Sequence, residues 1–271
     1  MECNTNRLLL LAPLLVSAAF PLRAGLTDVD IFKNFVYIQT SGAAPSVSIG
    51  TFLSLREFFA NPGDFDTGSV TYPGAGSPQS LSLDAPNKLL TFQTGFLPDQ
   101  AAMDAAYPFG TYQFTATNSG TSGSQTAEIP YTTDAYANIP AFTSATMTEL
   151  LAGVYAGGPI TLNFNANTPS ADASVGITFL SIFGSSFSNS YSTSTTSVTI
   201  PAGTLVPGTT YTAELDFSDR VSGSNAGVPT AIGFDVRTEV TFTTLAPEPG
   251  SLALGALGVT ALVLALRRRI G

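Results

Sequence analysis

The chain of 271 residues contains no histidine, no tryptophan and a single cysteine, Cys3. Without histidine, Ser-His-Asp and Cys-His catalysis are excluded, and so are the usual zinc and copper ligand sets. A lone cysteine cannot form an intramolecular disulfide. The missing tryptophan weakens the case for a sugar-binding platform, although tyrosine can also stack on a sugar ring.

Charge is scarce and mostly of one sign. Only 11% of the residues are charged. Between positions 25 and 246 the chain has 17 acidic and 5 basic side chains, a net charge near −12. Nucleic-acid binding requires the opposite sign and is excluded. The remaining surface must be rich in Ser, Thr, Asn, Gly and Gln, which is typical of secreted β-rich proteins.

The N-terminus has the order of a secretory signal peptide. Arg7 supplies a positive charge, and the apolar run 8–19 follows it. We predict cleavage after Ala24, with Ala19 as the second candidate. Cys3 precedes the apolar run, so it cannot be a lipoprotein cysteine, which would stand at the cleavage point.

The C-terminus has three ordered elements. Pro247, Glu248 and Pro249 form a rigid segment that no helix can cross. Residues 251–266 carry no charge, and Arg267, Arg268 and Arg269 end this run. Sixteen residues make about 24 Å of helix, so spanning a bilayer core of about 30 Å requires local thinning or snorkelling arginines. The arginines favour the cytoplasmic side, which predicts a transmembrane helix with residues 25–250 outside the inner membrane. An amphipathic or core helix is the alternative, but no face of 252–266 is polar.

This tail resembles the PEP-CTERM sorting signal of exported Gram-negative bacterial proteins. The resemblance implies recognition by a membrane enzyme of the exosortase type. It further implies a transient stay in the inner membrane, followed by transfer to the cell surface or the extracellular matrix. An exopolysaccharide is a candidate partner there.

Apolar residues alternate with polar ones through most of 140–245, and turn residues separate the alternating runs. This period of two predicts β-strands, with no helix between them. The strands are expected around 160–164, 175–179, 198–200, 211–217 and 232–242. On the fourth of them, Glu214 and Asp216 are expected on the outward face.

The run Leu205-Val206-Pro207-Gly208-Thr209-Thr210-Tyr211 stands immediately before one of these strands. It resembles the corner that enters the F strand of fibronectin type III domains. The resemblance implies a β-sandwich over about 140–245. It also implies that the Tyr211 hydroxyl bonds back to the backbone a few residues upstream, which makes Tyr211 a structural residue.

The first half is less regular but shows similar features. Early strands are expected near 31–37, 47–52, 81–83 and 89–92, and the run 99–106 is the one convincing short helix before the tail. Pro108 to Thr115 repeats the corner pattern, which suggests two sandwich-like modules in tandem. The Ser/Gly-rich run 118–124 is either a linker or a hairpin tip.

The chain is therefore predicted to be all-β and to have four parts. A signal peptide covers 1–24, and an N-terminal β module with one short helix covers 25–129. A fibronectin III/Ig-like β-sandwich covers 130–245, and the sorting tail covers 246–271.

The Ser/Thr-rich run 185–199 allows two interpretations. It is either a polar hairpin at a sheet edge or a series of hydroxyls for O-glycosylation or polysaccharide contact.

The sequence contains no complete motif for a metal site or for a pair of catalytic carboxylates. Asp64 and Asp66 resemble the start of a calcium loop, but position 75, where such a loop needs a glutamate, is alanine. Asp216 and Asp219 would bind calcium only if they converged at a strand end. No motif pairs two carboxylates for glycoside hydrolysis, and the carboxylates Glu214, Asp235 and Glu239 are expected singly on outward strand faces.

These observations predict an exported, non-catalytic structural or adhesive protein without a required cofactor; calcium is the one metal that remains open. The alternative is a carbohydrate-active enzyme or carbohydrate-binding module exported by the same route. The alternative requires a concave site with clustered carboxylates or exposed tyrosines, whereas the main hypothesis requires neither.

Overall fold

The computed structural model describes residues 25–121 and 123–246. This part of the chain is all-β apart from two short helices, as the sequence predicted. The signal peptide and the sorting tail lie outside the described residues. Within them, no helix is both long and apolar enough to cross a membrane.

Fourteen strands and two helices follow one another along the described chain. In order, they are β1 Leu26–Ile38, β2 Ser48–Phe59, β3 Thr67–Thr71, β4 Gln79–Asp84, β5 Leu89–Gln93, α1 Gln100–Ala106, β6 Gly110–Asn118, β7 Gly123–Tyr131, α2 Ser144–Ala152, β8 Val154–Tyr155, β9 Ile160–Asn163, β10 Val175–Phe183, β11 Ser188–Tyr191, β12 Ser197–Ile200, β13 Thr210–Asn225 and β14 Val228–Leu245.

One strand path runs through both halves of the chain. Its order is β11-β10-β13-β14-β1-β2-β5-β4-β3-β6-β7, with β8 attached to β14, while β9 and β12 form a separate pair. The first strand pairs in parallel with the last one, from Val29 opposite Thr230 to Ile38 opposite Glu239. A parallel pair requires a long connection, and here the connection is nearly the whole described chain.

Two apolar clusters lie beneath these strands. The first collects residues of β1 to β7 together with Val228, Ile232 and Phe234 of β14. The second collects α2 and β9 to β13 with Val240 and Phe242 from the other end of β14. Strand β14 thus belongs to both clusters. Division into modules 25–129 and 130–245 stays a prediction.

Helix α1 confirms the predicted helix at 99–106. The Asp99 side chain caps it by accepting a hydrogen bond from the Ala102 N–H at 2.9 Å.

Helix α2 corrects the expectation of a single short helix before the tail. Thr143 caps its start by accepting from the Thr146 N–H, and Gly153 ends it at φ 90°. Thr146, Met147 and Leu150 are buried on one face, which is the spacing of an amphipathic helix. The capping threonine and terminal glycine were visible in the sequence.

The two ambiguous polar runs are both placed in β structure. In the run 118–124, Asn118 at the end of β6 pairs with Gly123 at the start of β7, so the described part of this run belongs to the β6–β7 hairpin. In the run 185–199, β11 forms one edge of the large sheet. The chain then crosses to β12, which pairs with β9.

Candidate binding groove

A groove of about 660 Å³ lies on the sheet face opposite the apolar clusters. It crosses seven neighbouring strands, β11, β10, β13, β14, β1, β2 and β5, and therefore needs residues from both halves of the chain. Its volume falls within the range of about 300–1,000 Å³ that is common for ligand pockets. The lining residues are Phe32, Asn34, Phe52, Ser54, Arg56, Gln93, Val175, Ile177, Phe179, Ser181, Ser188, Glu214, Asp216, Ser218, Arg220, Asp235 and Arg237.

Strand alternation separates the groove from the core. On β13, Ala213, Leu215 and Phe217 are fully buried in the second apolar cluster. The intervening Glu214 and Asp216 line the groove. This orientation follows from the period of two in a strand, and it agrees with the two faces that the sequence assigned to this strand.

All three arginines of the described chain line the groove, and each is paired with a carboxylate. The pairs are Arg56–Asp30 at 2.7 Å, Arg220–Asp28 at 3.1 Å and Arg237–Glu214 at 2.8 Å. Arg56 binds Asp30 through both Nε and Nη2, the bidentate geometry that gives arginine its specificity for carboxylates. Burial raises the pKa of Asp30 to about 6, although the Arg56 guanidinium opposes this shift.

Aromatic rings hold these guanidinium groups against the sheet. The Arg56 Cζ lies 4.1 Å from the centroid of the Phe32 ring, and the Arg220 Cζ lies 5.9 Å from the same ring. Arg237 lies over Phe52 at 5.8 Å. Cation–π contacts of this kind fix the direction of a guanidinium, so the arginines form a preorganised surface.

Asp216 and Asp235 lack arginine partners of their own. Asp216 is 8% exposed, and its Oδ1 and the Oδ1 of Asp235 have no hydrogen-bond partner among the described residues. Burial raises the pKa of Asp216 well above its usual value, and the neighbouring charge of Asp235 raises it further. Burial also raises the pKa of Asp235, while a hydrogen bond from Ser218 and the charge of Arg237 lower it.

The register of β13 and β14 brings this pair together. Asp216 lies opposite Arg237, and Ser218 lies opposite Asp235. Asp216 and Asp235 are therefore diagonal neighbours on one sheet face, a position from which side chains can interact.

Glu214 and Asp235 face away from the core as expected, but the expectation that they stand singly is wrong, because Glu214 pairs with Arg237 and Asp235 lies diagonal to Asp216. This face of the sheet is not fully solvated, because β1 and β2 continue the same sheet and place Arg56, Phe32 and Phe52 beside these carboxylates. A usable signal was present in the sequence: β13 and β14 carry alternate charged residues on one face, in a chain of which only 11% of the residues are charged.

The other candidate carboxylates accept hydrogen bonds from neighbouring protein groups. Asp64 accepts hydrogen bonds from Asn61, and Asp66 accepts them from Ser119. Asp219 is fully buried, and its Oδ2 accepts from the Ser170 N–H at 2.6 Å. It occupies the face of β13 opposite to that of Asp216, so the two cannot converge. The described residues contain no group of three or more His, Cys, Asp or Glu side chains placed to hold a metal ion.

Tyr211 is buried at the start of β13. Its hydroxyl accepts a hydrogen bond of 2.8 Å from the N–H of Val206, five residues upstream. In the earlier corner, the Tyr112 hydroxyl donates to the Pro108 carbonyl at 3.0 Å. Both contacts link a strand to the turn before it. The predicted sorting residues Pro247, Glu248, Pro249, Arg267, Arg268 and Arg269 lie outside the described residues.

Sequence reasoning missed a second ionic cluster around Lys33. This lysine is fully buried, and its Nζ lies 2.9 Å from Asp104 Oδ1 and 2.9 Å from Asp134 Oδ1. It also donates to the hydroxyl of Tyr131. The cluster joins β1, α1 and the segment after β7, and no local pattern in the sequence indicates it.

No family model and no curated protein sequence matches the chain. Among solved structures it is similar to the FN1–FN3 domains of chicken CNTN1, with 14% identity, 76% of this chain and 67% of that chain covered, and a TM-score of 0.26. It is also similar to a structure of a 1.5-MDa bacterial ice-binding adhesin, with 18% identity, coverage of 81% and 66%, and a TM-score of 0.24.

A third similar structure is the BSP domain of a biofilm associated protein, with 13% identity and a TM-score of 0.21. The match covers 83% of this chain and 30% of that one. At such TM-scores these similarities transfer no activity, ligand or partner to the chain.

Proposed function

We propose that the protein is an exported, non-catalytic component of the cell surface or extracellular matrix, and that the groove is its adhesive site. The observation that carries this proposal is the open groove itself. It is lined by preorganised arginine–carboxylate pairs and aromatic rings, and strands from both halves of the chain build it.

The arrangement of the carboxylates favours binding over hydrolysis. Glycoside hydrolysis needs two carboxyl groups on opposite sides of the scissile bond. Asp216 and Asp235 instead lie on adjacent strands of one sheet face, which forms a single wall. Glu214, Asp28 and Asp30 are each held by an arginine.

The export route is part of the proposal and rests on the two ends of the sequence. The signal peptide 1–24 would direct the chain across the inner membrane. The Pro247-Glu248-Pro249 segment, the apolar run and the arginines would then present it to an exosortase-type enzyme. Exopolysaccharide is the proposed partner outside the cell.

A carbohydrate-active enzyme remains the second candidate, because of one specific observation. The pKa of Asp216 is raised by burial and by a second carboxylate, and these are the conditions that produce a general acid. The two candidate functions differ in whether the protein hydrolyses polysaccharides. The non-catalytic protein should release no product from bacterial or plant polysaccharides. Hydrolysis that disappears in Asp216→Asn would establish the enzyme instead.

Fractionation and intact mass test the export route. We expect a surface or matrix species that begins at Gly25 and ends near Pro247–Pro249. Neutral residues in place of Arg267, Arg268 and Arg269 should impair retention or orientation in the membrane. A full-length chain in the matrix fraction, or unchanged localisation of the arginine variant, would contradict this route.

A further inference from the structure

We propose that the groove binds a ligand that carries an ammonium group, specifically an amino sugar, and that Asp216 and Asp235 receive the ammonium. This inference deepens the proposed adhesive function and rests on it.

The lining of the groove holds three carboxylates and three arginines, but two of the arginines are engaged by Asp30 and Asp28, which do not line it. Each of its arginines is paired one-to-one with Asp30, Asp28 or Glu214. Asp216 and Asp235 are left over, which gives a surplus of two carboxylates. The described lysines do not supply the missing charge, because Lys33 belongs to the buried cluster with Asp104 and Lys88 contacts the Ala60 carbonyl.

Burial makes this surplus costly. Asp216 is more than nine-tenths buried, lines the groove and has an acceptor oxygen without a partner in the described chain. An unpaired buried carboxylate either takes up a proton or needs an external cation. A ligand that brings positive charge to this point would remove the penalty.

The oxygen atoms at this point of the groove fit an ammonium group better than a metal ion. Calcium requires about six to eight oxygen ligands, and the described residues offer no group of three or more His, Cys, Asp or Glu side chains placed to hold a metal ion. An ammonium has three N–H donors. Asp216 Oδ1 and Asp235 Oδ1 supply two acceptors, and the hydroxyl of Ser218, opposite Asp235, supplies the third.

The rest of the groove fits a sugar better than a lysine side chain. A pyranose ring has apolar faces and hydroxyl groups around its edge. The groove offers the aromatic ring of Phe179, the hydroxyl of Ser54 and the amides of Asn34 and Gln93. A lysine side chain would use the carboxylates alone and leave these groups without a contact.

Titration calorimetry with the full chain in a neutral detergent tests the ligand. The probes are a glucosamine hexamer, the matching N-acetylglucosamine hexamer and a lysine hexapeptide at pH 6.5. We expect the glucosamine hexamer to bind at least tenfold more tightly than either of the others. Equal affinity for the two sugar hexamers would overturn the role of the ammonium, and tighter binding of the lysine peptide would overturn the assignment to a sugar.

A variant pair localises the site. Asp216→Asn should weaken binding of the glucosamine hexamer at least tenfold, and Asp172→Asn, a charge-matched change in an exposed loop, should leave it unchanged. Equal loss in both variants would overturn the assignment to Asp216. If Asp216→Asn fails to fold, Asp235→Asn serves in its place, and the comparison of the two hexamers in the unchanged protein stands without any variant.

Proton release provides an independent readout. The charged groups that face the pair are Glu214, Arg237, Arg56 and Arg220. Burial raises the pKa of both carboxyls, so the pair binds a proton more readily than ordinary carboxyls do, and an arriving ammonium should compete with that proton. Calorimetry in two buffers of different ionisation enthalpy should therefore show release at pH 6.5, reduced in Asp216→Asn. Tight binding without release would place the ammonium elsewhere.

These outcomes are distinct from failure of the proposed function. A protein that reaches the surface but binds neither hexamer contradicts only the ligand assignment. A protein that stays inside the cell contradicts the proposed function, whatever it binds.

Discussion

The ammonium of Lys33 lies 2.9 Å from the carboxylate of Asp134, a residue 101 positions later in the chain. Lys33 is fully buried, whereas the side chain of Asp134 retains 14% exposure. Their contact ties the first strand to the segment that follows β7. Removing one member of a buried ionic cluster strongly destabilises the folded protein, because the remaining charges stay buried without an opposite charge beside them.

We therefore expect Lys33→Met to destabilise the protein by about 3 kcal/mol. Methionine keeps most of the apolar stem but leaves Asp134 without its cation. Chemical denaturation measures the change. Lys88→Met is the control, since Lys88 is half-buried and contacts only a backbone carbonyl. A loss of the same size in both variants would show that the ionic cluster contributes nothing specific.

Glu57 should make stability depend on pH. It is fully buried in the first half of the chain, and burial raises its pKa to about 8. The folded state then binds a proton more tightly than the unfolded state, whose glutamate titrates near 4.5. The resulting stability is fully present below pH 4.5 and is lost as the pH rises through 8.

The test is Glu57→Gln, compared with the unchanged protein by urea denaturation at pH 5, 7 and 8.5. The variant should gain stability relative to the parent as pH rises, by up to about 4 kcal/mol. Glu128→Gln, at a partly exposed position, should show no such trend. A constant difference between Glu57→Gln and the parent across this range would mean that Glu57 is already ionised in the folded protein.

Tyr211→Phe should remove one buried hydrogen bond and keep the packing. The hydroxyl accepts from the Val206 N–H, so we expect a loss of about 1–3 kcal/mol. Tyr155→Phe is the matched control because Tyr155 is 61% exposed. Denaturant unfolding curves of the two variants and the unchanged protein measure this loss. If Tyr211→Phe is as stable as Tyr155→Phe, the corner hydroxyl is solvated.

The Arg56–Asp30 pair allows a double-mutant cycle. Arg56→Gln leaves Asp30, which is 1% exposed, without its bidentate partner. We expect a loss of about 2–4 kcal/mol at pH 7.5. The loss should be smaller at pH 4.5, because Asp30 can take up a proton there.

The double variant Arg56→Gln/Asp30→Asn should recover much of that loss, since it leaves no buried charge. Additive losses in the two single variants would show that the residues do not stabilise one another.

The sequence predicted the features that depend on neighbouring residues. The alternation from Tyr211 to Phe217 identified a strand and its two faces, and the strand is present with those faces. The helical run 99–106 identified α1. The same local rules apply to α2, because its capping residues Thr143 and Gly153 can be read from the sequence. This helix was not predicted, because the alternation of the neighbouring strands led us to assign the whole region to β structure.

Only the tertiary structure decided what lies opposite each strand. The pairing of β1 with β14 joins residues about 200 positions apart, and no periodicity within either strand specifies its partner. This pairing places Phe32 and Arg56 beside Asp235 and so creates the groove. It also explains why outward-facing carboxylates acquire raised pKa values: alternation determines which way a side chain points, but the strands paired at a distance determine whether water or protein surrounds it.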